Sequence, residues 1–128
     1  MKKIIVFALL FSSFIACKKD KIHVNDPIIG SWNLVQIADM AGVQTAGQWG
    51  HTKSYSFHTD NTYSMTLDAK VTSSNYTLRQ AYSTTYQKNV TFLSINNAAD
   101  LTVYYNHDTL VIADHPELDG PIEYYVKE

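Results

Sequence analysis

The stretch Asp26-Pro27-Ile28-Ile29-Gly30-Ser31-Trp32-Asn33-Leu34-Val35-Gln36-Ile37 decides the fold. Asn25-Asp26-Pro27 is a turn-initiating sequence that closes a polar, charged segment. Gly30, two residues before Trp32, lets the backbone bend sharply as it enters an apolar strand. The large indole is then seated at one end of whatever closes around it. From Ile28 onward the pattern is β throughout. Tyr, Thr, Val and Ile alternate with polar residues, and Asn, Asp and Gly punctuate the runs. No window of useful length keeps a helical period.

Working back from that stretch, residues 1–16 read as a secretory signal. Lys2 and Lys3 form a positive start, and the apolar run Ile4 to Ala16 is too short to span a bilayer, which needs about 20 residues. The single cysteine, Cys17, follows Phe14-Ile15-Ala16. That segment resembles a bacterial lipobox, which implies acylation of Cys17 and a membrane anchor. One cysteine makes no intramolecular disulfide. Residues 17–26 are expected to be a tether and residues 27–128 a single folded domain. Lys18 after the cysteine resembles the outer-membrane rather than the inner-membrane sorting pattern of such lipoproteins. Loss of residues 1–16 removes Lys2 and Lys3 and no acid, which moves the formal charge from −2 to −4. With Arg79 as the one guanidinium and no basic stripe, nucleic acid is not an expected partner.

Working forward, the pattern gives about eight strands. The first runs from Gly30 to Ala38, and a long connection from Asp39 to Thr52 carries Trp49. Lys53 to His58 sets Tyr55 and Phe57 on one face, and Thr59-Asp60-Asn61-Thr62 makes a tight turn. Thr62 to Lys70 points Tyr63, Met65, Leu67 and Ala69 inward. Thr72-Ser73-Ser74-Asn75 reads as the next turn, and Tyr76 and Leu78 share a face beyond it. Further strands are expected at Asn89 to Ile95, Leu101 to Tyr105, Thr109 to Ala113 and Ile122 to Lys127. In the last, Ile122, Tyr124 and Val126 fall together. Short antiparallel strands at this spacing favour an all-β, up-and-down barrel, because closure removes exposed edges.

Gly30-Ser31-Trp32, the hairpin Phe57-His58-Thr59-Asp60-Asn61-Thr62-Tyr63 and the strand Asn75-Tyr76-Thr77-Leu78 resemble the small lipocalin-like lipoproteins of Bacteroidetes. The resemblance implies a lipocalin-like barrel on the outer membrane, but not a chemistry. The domain is shorter than the larger lipocalins and lacks their C-terminal arginine.

Candidate chemistry is sparse. The histidines His23, His51, His58, His107 and His115 form no His-x-His or His-x-x-x-His pair, so no metal site is expected. Asp114, Glu117 and Asp119 crowd one loop without the spacing of a calcium site. There is no Gly-x-Ser-x-Gly elbow, and no carboxylate falls at a position read as an apolar strand, so the chain reads as a non-enzyme without a cofactor. The nine tyrosines and two tryptophans are the unusual feature. A barrel of this size is filled by side chains or holds one small ligand. The ligand reading places Trp32, Tyr55, Phe57, Tyr63 and Tyr76 in the wall and Trp49 in a lid, around a small apolar or aromatic molecule. The alternative is a packed barrel that serves an envelope protein partner through a surface patch of Tyr82, Tyr86, Tyr104 and Tyr125.

Overall fold

Strict alternation forces one side of each strand inward, and the sheet built from these strands closes on itself. The computed structural model describes residues 26–98, 100–114 and 119–128. Its elements are β1 (Gly30–Asp39), β2 (Gly42–Thr45), α1 (Ala46–Trp49), β3 (Lys53–Phe57), β4 (Thr62–Leu67), β5 (Lys70–Ser83), β6 (Lys88–Ile95), β7 (Asp100–Asn106), β8 (Thr109–Ala113) and β9 (Ile122–Lys127). Strands β1 and β3 to β9 pair antiparallel in sequence order, and β9 returns to β1, which makes a closed eight-stranded barrel. β2 is an added ninth strand. It folds back on the far half of β1, from Gln36 to Asp39, while β3 holds the near half, from Gly30 to Asn33. The signal reading of residues 1–16 and the cysteine at position 17 lie outside the described residues.

One end of the barrel is a packed floor. Ile28 and Trp32 are 0% and 1% exposed, and the indole Nε1–H donates to the Ile28 carbonyl at 2.7 Å. A buried ring cluster rises from there. Phe57 meets Tyr76 edge-on with centroids 5.0 Å apart, Tyr55 stacks on Phe57 at 5.4 Å, and Tyr125 meets Tyr55 edge-on at 5.4 Å. Such pairs contribute about 0.5–1.5 kcal/mol each beyond the area they bury.

Left-handed residues turn the chain. Asn61 has φ 66°, in the hairpin where Asp60 and Asn61 are expected to tolerate that region. Three readings of the sequence are corrected. The chain reverses at Asp68-Ala69, where both residues have positive φ, and not at Thr72 to Asn75, which lies inside the 14-residue β5. The long connection from Asp39 to Thr52, read without elements of its own, carries the short strand β2 and the helical turn α1. In β9 the interior face is that of Glu123 and Tyr125, while Val126 faces out. The ladders set this face: buried Leu34 and Leu110 flank Tyr125 and buried Ile112 flanks Glu123, while a bulge between Leu34 and Gln36 in β1 brings Ile37 opposite Glu123 as well.

Candidate functional site

The end opposite the floor is an open mouth, and α1 forms its roof. A four-residue helical turn needs local support, which here comes from a capping box. Gln48 N–H donates to Thr45 Oγ1 at 3.3 Å, and Thr45 N–H donates to Gln48 Oε1 at 2.9 Å. Gly50, at φ 81°, ends the turn and gives its N–H to the Ala46 carbonyl. The chain then descends into β3 through His51 and Thr52.

Those two residues latch the roof to the β4–β5 turn. Asp68 Oδ2 lies 2.6 Å from His51 Nδ1, and Asp68 Oδ1 accepts the Thr52 N–H at 2.9 Å. The Thr52 amide and then the His51 ring hold the Asp68 carboxyl below its ordinary range. Trp49 packs half-buried against the core, edge-on to the His51 ring at 4.9 Å.

Beside the latch is an open cleft of about 510 Å³ lined by Asn33, Leu34, Ala46, Gly47, Lys53 and neighbouring residues of the roof and latch, most of them exposed. That volume is within the range of about 300–1,000 Å³ that holds small ligands. Next to the cleft the barrel interior turns ionic. Lys53 follows the inward face of Tyr55 and Phe57, and its Nζ donates to Glu123 Oε1 at 2.7 Å and Oε2 at 2.9 Å. The Tyr125 hydroxyl donates to Glu123 Oε2 at 2.6 Å. Burial, and then the neighbouring Glu123 charge, pushes the Tyr125 hydroxyl far above the ordinary tyrosine range, so it remains a donor at every physiological pH. Lys53 lines the cleft and Glu123 does not, while the ammonium itself sits between the Glu123 carboxylate and the Tyr55 ring, 5.4 Å from its centroid.

The structure gathers Trp32, Tyr55, Phe57, Tyr63 and Tyr76 into one buried cluster and leaves Trp49 at the roof beside it. None of these six lines the mouth cavity. Tyr76 lines a second cleft, of about 460 Å³, on the outer wall, together with Asp60, Asn61, Asn75, Arg79 and Asp100. The expected surface patch loses one member, because Tyr125 is 0% exposed inside the barrel. Tyr82 is exposed, and Tyr86 meets Tyr104 edge-on.

Sequence reasoning missed Lys53 and Glu123. The signal was there for Lys53, two residues before Tyr55 on the same face. Glu123 was hidden because its inward face is set by pairing with buried Ile112 and Ile37, and not by its apolar neighbours Ile122 and Tyr124. Among the described residues no three of His, Cys, Asp and Glu converge as a metal site would require. No family model, curated protein or solved structure matches the chain.

Proposed function

We propose that this is a non-enzymatic, lipid-anchored envelope protein of lipocalin-like type that binds a small molecule at its mouth and not deep in the barrel. The cleft beside α1, which Lys53 lines, carries the reading. The aromatic cluster occupies the lower interior, so the space for a ligand is at the open end.

The lining suggests what enters. Leu34 and Ala46 offer apolar contact, and the glycines bring backbone close to the occupant. An ammonium has three donors, and the two recorded bonds to Glu123 leave one for a ligand oxygen. Because Glu123 already neutralises Lys53, an uncharged acceptor such as an amide carbonyl suits the site better than a carboxylate. A binding role also fits the rim. Among the described residues the His51 ring is bonded to Asp68 and to no hydroxyl or thiol.

Amide resonances of Gly47, Gly50 and Thr52, followed during titration with matched short-chain amides, carboxylates and amines, test the reading. The amide is expected to shift them most. Gly47 lines the cleft and a Cβ there would meet nothing within 4 Å, so Gly47→Leu adds apolar bulk at the cleft edge and should reduce the shifts. Silence of these resonances toward every probe would remove the mouth as a site.

A further inference from the structure

β5 is the longest strand, and its two halves have different neighbours. Lys70 to Asn75 pair with β4, and Tyr76 to Ser83 pair with β6. The lower half therefore has one open side. Main-chain groups along a strand point alternately to either side. The Asn75 carbonyl accepts the Asn96 N–H on the β6 side, and the Tyr76 N–H donates to the Asn61 carbonyl on the β4 side. By that alternation Thr77, Arg79, Ala81 and Ser83 serve the β6 ladder, while Leu78, Gln80 and Tyr82 aim N–H and C=O at the open side. Among the described residues no strand runs there.

Proteins usually blunt such an edge with proline, lysine or a bulge. Here Tyr76-Thr77-Leu78-Arg79-Gln80-Ala81-Tyr82-Ser83 has neither residue, and its register with β6 is unbroken. Its one charge is already engaged, since Arg79 bonds Asp100 at 2.5 Å and lies 4.8 Å over the Phe92 ring.

We propose that this edge pairs antiparallel with the same edge of a second copy, about a twofold axis through Gln80. The segment is self-complementary in that register. Gln80 faces Gln80, Leu78 faces Tyr82, Arg79 faces Ala81 and Thr77 faces Ser83. No like charges are set opposite one another, and the residues whose main chain is unpaired become the hydrogen-bonded pairs. Tyr82, 62% exposed, covers the half-buried Leu78 of the other copy. The other copy's β5–β6 turn, with the hydroxyls of Thr84 and Thr85, then lies across the outer-wall cleft, where Asp60, Asn61 and Asn75 supply acceptors. The contact is isologous, so it closes at a dimer and does not propagate.

Sedimentation of the purified full chain tests this, with Gln80→Pro and Gln80→Lys as variants. The Gln80 N–H faces the open side, so proline there removes no bond of the β5–β6 ladder. Lysine sets two ammonium groups face to face. The wild type is expected to sediment as a dimer, and each variant that keeps the native Trp fluorescence should weaken association by at least about tenfold. In a Cys17→Ser background, Gln80→Cys should cross-link under mild oxidation much faster than Thr77→Cys, because facing hydrogen-bonded pairs lie at disulfide distance. A wild type that stays monomeric at millimolar concentration, variants that still dimerise as well as the parent, or equal cross-linking from Thr77 would each overturn the proposal.

Discussion

Lys53 and Glu123, seventy residues apart in sequence, meet inside the barrel mouth with the ammonium 2.7 Å from one carboxylate oxygen and 2.9 Å from the other. Both side chains are largely buried. The interior is thus apolar at its floor and ionic at its mouth. This polarity is set by which residue each strand places last on its inward face.

Deleting one partner of this pair is costly. Glu123→Ala leaves a buried ammonium unpaired and strips the Tyr125 hydroxyl of its acceptor, so urea denaturation should show a loss of about 3–5 kcal/mol. The triple change Lys53→Met, Glu123→Leu, Tyr125→Phe removes all three polar groups together and should stay within about 1 kcal/mol of the wild type. A triple variant as unstable as Glu123→Ala would show that the cluster is a net stabiliser of the fold.

The roof latch should be acid-labile. A carboxyl held below its ordinary range stabilises the folded state above its unfolded value, about pH 4, and that stabilisation is lost as pH falls through the lower folded value. The Asp68 carboxyl carbon resonance should therefore titrate with its midpoint below about pH 4. Asp68→Asn should remove that transition. An Asp68 midpoint at or above about pH 4 would contradict the assignment.

Two buried tyrosine hydroxyls should respond oppositely to deletion. Tyr76 donates to the His58 carbonyl at 3.0 Å, whereas the buried Tyr105 hydroxyl has no hydrogen-bond partner among the described residues. Tyr76→Phe should lose about 1 kcal/mol, and Tyr105→Phe should be neutral or gain up to about 1 kcal/mol. Chemical denaturation of the two variants side by side makes the comparison. A large loss from Tyr105→Phe would mean that its hydroxyl is satisfied after all.

The β4–β5 turn invites improvement. Ala69 sits at φ 68°, a region that costs an L-residue about 1–2 kcal/mol, next to Asp68 at φ 48°. Asp-Gly is the favoured pair for such a turn. After the entropy that glycine adds to the unfolded chain, Ala69→Gly should gain about 0.5–1 kcal/mol. A lower melting temperature would count against the turn geometry.

The barrel was legible because burial on one face writes itself as alternation. Trp32, Tyr55, Phe57, Tyr63 and Tyr76 could be read as one inward set, and all are buried. Legibility failed where composition and geometry part. Thr72-Ser73-Ser74-Asn75 has turn chemistry but forms strand, since β4 supplies a ladder for it, while Asp68-Ala69 reverses the chain without glycine. The site was harder still. An inward Lys looks like an outward one until the strand across the barrel supplies Glu123, and the facing of that residue depends on its pairing with Ile112 and Ile37 in the two neighbouring strands.

The way the chain enters its own barrel has a mechanical consequence. Ile28 is sunk in the floor and grips the Trp32 indole by its carbonyl, so tension arriving from the N-terminal side is met there before it reaches the first ladder. A pull on the backbone at Ile28 is therefore met by the packed floor, at the end of the barrel opposite α1.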